Sequence, residues 1–173
     1  MKISEIAYVR PDINGLILEL SGLCTELKNA ENAGKQLQCY RRYVEIKKHF
    51  NTMTNLAYIR FTLDTRDSFY ASEIDFFDEY SPLFEEKCIE FDSAMLDSRF
   101  RDRLEKELPP LLFKKYEAAR KCFSSEIICE MQEDNRLCTE YKKLLSSAKI
   151  PFRGEVCNIE QMYKYKESAD RQT

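Results

Sequence analysis

The segment RFTLDTRDSFYASEIDFFDEYSP, residues 60–82, sets eight charged side chains among aromatic rings and is the natural place to look for catalysis. Its acids Glu73, Asp75, Asp78 and Glu79 would suit general acid–base chemistry if two of them met across a cleft, one protonated and one ionised. Neighbours on one helix lie three or four residues apart, so Glu73 and Asp75 do not face each other. The spacing favours acids that are solvated or that support helix caps.

The other reactive groups are scarcer. A zinc helix needs two histidines one turn apart with a glutamate between them, and the only histidine is His49. It is expected on the exposed or half-buried side of a long helix. Seven cysteines, at 24, 39, 88, 122, 129, 138 and 157, are odd in number and contain no C-x-x-C pair. That speaks against a disulfide framework and for small hydrophobes packed in a core, in a reducing cytoplasm. The glycine motifs of phosphate cradles and serine-hydrolase elbows are absent. No catalytic residue, cofactor ligand or metal ligand emerges.

The elements that hold these residues read as helices. With 43% hydrophobic and 33% charged residues but only four Gly and five Pro, the chain favours long regular elements over turn-rich sheets. A first helix is expected to start near Pro11 or Asp12 and to bury Leu16, Leu20, Leu23 and Leu27. A second, residues 32–64, would run about 50 Å, with a drifting stripe of Leu37, Tyr40 and Val44, then Ile46, Phe50, Met53 and Ala57, then Leu56, Ile59 and Leu63. The third stripe is Tyr70, Ile74, Phe77, Ser81, Phe84, Cys88, Phe91 and Met95. Pro82 falls inside it and predicts a kink or restart.

Short connecting helices are expected on either side of Pro109-Pro110. A further helix, capped by Ser124 or Ser125, carries the stripe Ile127, Met131, Cys138, Tyr141, Leu145 and Ala148. Residues 149–157 alternate around Gly154 and suit a short hairpin, and Asn158 opens an N-x-x-Q cap. Ser168 is a start signal with Asp170 in its first turn, and the five residues that follow it make an expected helix that is cut short. The fold class is all-α: long antiparallel helices in one lobe spanning residues 1–173, with a single hairpin.

In this frame the opening segment becomes a corner between two helices. Asp64 and Thr65 are available as caps and Asp67 sits in the new first turn. Arg60 and Arg66 can pair with the acids and with the last carbonyls of the preceding helix. Together with Tyr70 and Glu73 these are the candidate structural residues.

Charge and hydropathy exclude partners. Lys and Arg total 27 against 30 Asp and Glu, a net charge of -3 with the signs interspersed, which gives no electrostatic case for nucleic acid. No window approaches 18 uncharged apolar residues, and the N-terminus lacks an apolar export region.

The motif R-x-T-x-D-T-R-D-x-F-Y, Arg60 through Tyr70, is followed by E-x-D-F-F-D-E, Glu73 through Glu79. With YVRPD (8–12), FSSEI (123–127), YKKLLSSAKIPFRGE (141–155) and SADRQT (168–173), it resembles the N-terminal region of the oligoendopeptidase F family, zinc metallopeptidases related to thimet oligopeptidase. The resemblance implies a mostly helical, clefted enzyme that cuts short peptides, with zinc on an H-E-x-x-H helix and a downstream Glu. This chain has neither, so no zinc or catalytic residue carries over. It implies a lobe that builds part of the wall of the substrate channel, inactive alone, whose partner is the catalytic part that the 173 residues do not contain. The alternative is a free-standing helical interaction module without catalysis.

Overall fold

The computed structural model describes residues 5–167, and the expected start at Ser168 and Asp170 lies outside them. Helix α1 runs Ile13–Asn29 and is capped by Asp12, whose carboxylate accepts from the Gly15 amide at 3.1 Å. Leu20, Leu23 and Leu27 are buried. Helix α2, Ala33–Leu63, is capped by Asn32, which accepts from the Lys35 amide at 2.9 Å. The turn between them closes when the Gln36 amide donates to the Leu27 carbonyl at 3.0 Å. The first part of the α2 stripe differs from expectation: Gln36, Cys39 and Tyr43 face the core, and Val44 is exposed. Gln36 and Tyr43 turn inward because each hydroxyl or amide finds a buried polar partner, which their types alone do not announce.

Helix α3, Ser68–Leu96, returns antiparallel to α2. Phe50 stacks on Phe84 with ring centroids 3.9 Å apart, and Tyr43 stacks on Phe91 at 4.2 Å. It runs through Pro82 in one piece, without the restart that the sequence allowed as one outcome. Pro82 lacks the N–H that the Asp78 carbonyl would receive. That carbonyl accepts instead from the Asn135 side-chain amide at 3.2 Å, and the neighbouring Glu79 carbonyl accepts from Gln132 at 2.7 Å. Satisfying both carbonyls from outside removes much of the penalty for the missing donor.

Helices α4 (Arg101–Glu107) and α5 (Leu112–Cys122) flank the two prolines and are more than connectors. They place Leu104, Phe113 and Tyr116 in the core. Ser124 caps a 3-10 turn, Ser125–Ile127, that leads into α6, Ile128–Ser147. Strands β1 (Ile150–Phe152) and β2 (Glu155–Cys157) pair antiparallel. Arg153 and Gly154 both have positive φ in the turn between them, where glycine carries no steric cost. Asn158 and Gln161 then cap each other's amides at 2.8 and 2.9 Å before α7, Tyr163–Lys166.

The α6 stripe is rotated from the expected one. Thr139 is its buried residue; of the expected stripe Met131, Leu145 and Ala148 are half-buried, while Ile127, Cys138 and Tyr141 are exposed. The polar side of α6 turns to α3, where the Asp78 carbonyl that Pro82 leaves without its helical donor takes one from Asn135.

Candidate functional site

The α2–α3 corner is built from both ends. Asp67 is the N-cap of α3, accepting from the Phe69 and Tyr70 amides at 2.9 and 3.3 Å, rather than a first-turn residue. Asp64 is the C-cap of α2, its amide donating to the Arg60 carbonyl, and it pairs with Arg66 at 3.0 Å; Thr65 caps neither helix. Thr65 meets Ser146 of α6 at 3.0 Å. Arg60 donates to the Tyr70 hydroxyl and to the Ile6 carbonyl, both at 2.7 Å, and thereby ties the N-terminal segment to the corner.

Glu73 departs most from the sequence reading. It is a buried carboxylate, its side chain 2% exposed, not a solvated acid. Arg10 holds it through Nε at 3.0 and 3.1 Å and through Nη2 at 2.5 Å, and the Tyr8 hydroxyl donates to it as well. The Arg10 bonds hold Glu73 below the ordinary carboxylate range, and burial beside Glu73 pushes the Tyr8 phenol up. Tyr8 packs edge-on to Phe69 and Tyr70, and Arg10 lies 4.8 Å over the Phe76 ring. Every group is held in its neutral-pH charge state, which disfavours proton transfer near pH 7.

A second polar cluster lies between α2, α3 and α5. Asp92 is buried and accepts from the Tyr43 hydroxyl at 2.7 Å, while Lys47 donates to that hydroxyl at 3.2 Å. Burial pushes Asp92 up to about 6 and the Cys88 thiol up to about 12. Asp92 escaped the sequence reading. The available signal was an acid four residues after buried Cys88 and four before buried Leu96, on the apolar side of the helix.

Asp75, Asp78 and Glu79 line a cleft of about 580 Å³ between α3 and α6. Asp75 pairs with Lys143 at 3.3 Å. Asp78 is raised by burial, and its Oδ2 is a buried oxygen without a hydrogen-bond partner. Among the described residues no group of three or more His, Cys, Asp and Glu could hold a metal ion. His49 is exposed on α2. Cys24, Cys39, Cys88 and Cys157 are buried and all seven cysteines are free. No helix among the described residues is long and apolar enough to cross a membrane.

These features define an all-α lobe whose polar clusters join its helices. The chain belongs to the peptidase M3 N-terminal domain family, whose model matches residues 3–123. Nearly the whole chain is similar to parts of larger solved structures. It shares 37% identity and a TM-score of 0.94 with a structure described as Pz peptidase A with inhibitor 2, covering 99% of this chain and 30% of that one. The same identity, coverage and TM-score hold for a structure assigned as oligoendopeptidase F. A chain assigned as oligoendopeptidase F from Bacillus anthracis str. Ames gives 35% identity and a TM-score of 0.92, over 98% of this chain and 31% of that one. The chain thus spans about 30% of the length of the structures it matches. Comparison with curated proteins returns no match.

Proposed function

We propose that this chain is the N-terminal helical lobe of an oligoendopeptidase F-type enzyme. On this reading it forms part of the wall of a channel for short peptides, in the cytoplasm, and is inactive alone. The observation that carries it is the superposition of 99% of the chain on 30% of Pz peptidase A. Among the described residues no group fits a zinc site, so on this reading the zinc and the catalytic groups of such an enzyme are supplied by its remaining polypeptide. Corner residues Arg60, Asp64, Thr65, Arg66, Asp67, Tyr70 and Glu73 serve architecture on this reading: they cap, pair and tie down chain ends.

The surface supports a docking role. Leu137, Tyr141 and Leu144 form an outward stripe on α6 and are 51%, 61% and 67% exposed. Val156 and Tyr163 add exposed apolar surface on the hairpin and α7. The occupant we assign is the remaining polypeptide of the peptidase, which in the solved relatives makes up the other 70% or so of the chain.

A chimera tests the reading. The chain replaces the matched 30% of Pz peptidase A, and cleavage of a quenched peptide and bound zinc are measured for the chimera and for the chain alone. Zinc-dependent cleavage by the chimera only is expected. A folded, zinc-loaded chimera that cleaves nothing, or cleavage by the chain alone, would overturn it. A chain that stays monodisperse and monomeric at high concentration would instead favour the free-standing interaction module.

A further inference from the structure

Helix α6 is attached differently from every other long helix of this chain. Helices α2 and α3 each bury ten residues, whereas α6 buries Thr139 alone out of twenty. What joins it to α3 is a row of polar contacts. Gln132 and Asn135 donate to the carbonyls of Glu79 and Asp78, and Lys143 pairs with Asp75. Against the end of α2 the joint continues with Lys142 over the Tyr58 ring at 4.8 Å, and Thr65 meets Ser146 at the corner.

Two further observations bear on how firmly such a joint holds. A half-open polar cleft of about 580 Å³ runs along the seam, lined by Asp75, Asp78, Gln132, Thr139 and Lys143 among others. The seam leaves the buried Asp78 Oδ2 without a partner, a cost that separation and hydration would relieve. Few buried apolar contacts and many replaceable hydrogen bonds are the marks of a segment that opens before the rest of a fold.

We propose that α6 is an arm latched to α3 through the Asp78 carbonyl that Pro82 leaves open and the neighbouring Glu79 carbonyl, and that it releases from the α1–α5 body before that body unfolds. Pro82 is the working part of the latch. By withholding its own donor it leaves the Asp78 carbonyl to Asn135, a bond that water can replace when the arm lifts. The arm also carries the outward apolar stripe, so release shifts that stripe relative to the body. The latch belongs to this chain's own helices and its test needs no peptidase activity, so it and the lobe reading fail separately.

Hydrogen exchange of the full chain, read by mass spectrometry, decides the matter. Peptides from 128–147 should exchange at least about tenfold faster than those of α2 and α3, as expected of a unit that opens first. Asn135→Ala or Gln132→Ala should accelerate 128–147 by about fivefold further, the worth of one ordinary hydrogen bond, with α2 and α3 unchanged. Pro82→Ala gives α3 its own donor for Asp78 and should loosen 128–147 in the same direction. Exchange of α6 in step with α2 and α3 would overturn the latch. So would an α6 indifferent to all three substitutions.

Discussion

Arg10→Met should destabilise the lobe in a way that depends on pH. The variant keeps the length and apolar stem of the side chain but removes the charge facing Glu73. That carboxylate is 2% exposed, while Arg10 is 48% exposed, so the two partners are not equivalent. Without Arg10 a buried charge retains only the Tyr8 hydroxyl; without Glu73 the arginine hydrates. Breaking a fully buried pair costs about 3–5 kcal/mol. The remaining Tyr8 bond brings the expectation for Arg10→Met to about 2–3 kcal/mol at pH 7. Glu73→Gln should cost less, about 1–2 kcal/mol. Because Arg10 depresses Glu73 in the folded state, the pair's contribution is full above the ordinary glutamate value of 4.5. It is lost as pH falls from there through the depressed value. In Arg10→Met the penalty exists only while Glu73 is ionised, so the gap to the parent should be smaller at pH 4 than at pH 7 and go on shrinking as pH falls through the depressed Glu73 value. Urea unfolding followed by circular dichroism at both pH values measures this. An equal gap at pH 7 and pH 4, or a larger cost for Glu73→Gln than for Arg10→Met, would refute the reasoning.

Two other outcomes follow from the same geometry. Asp67→Ala removes an N-cap with two amide donors and should cost about 0.5–2 kcal/mol, whereas Asp64→Ala, exposed and paired only with Arg66 among its side-chain contacts, should lower the melting temperature less than Asp67→Ala does; thermal melts of the two variants compare them. Asp92, pushed up to about 6, should give stability that is full below its unfolded value and lost as pH rises through about 6. Lys47 and Lys115 oppose that rise without cancelling it. In Asp92→Asn, which keeps an acceptor for Tyr43, the parent's advantage should fall by about 2–3 kcal/mol between pH 4 and pH 8; parallel slopes for the two proteins would show that Asp92 does not titrate with folding.

The corner shows how far a sequence reading reaches. Arg66 pairs with Asp64 there, and Asp64 ends α2 as its C-cap. Asp67, expected in the first turn of α3, is instead that helix's N-cap. Glu73 could not be read correctly at all, because its partners Tyr8 and Arg10 lie 65 and 63 residues away.

What the sequence determined by itself was local. The bounds of α1 and α2, the hairpin around Gly154 and the Asn158–Gln161 cap follow from signals confined to a few neighbouring residues: a capping side chain, a turn glycine, an apolar period. The R-x-T-x-D-T-R-D-x-F-Y motif likewise carried the family. The tertiary structure decided which polar groups are buried and which face of α6 turns inward. Pro82 reads locally as a helix breaker, yet α3 continues because donors from a helix some fifty residues further on reach its carbonyls. The face that α6 turns to α3 carries those donors, which its own apolar stripe does not announce. An unpaired backbone group is a cost that any nearby donor can relieve, and which donor is nearby is a fact of three dimensions.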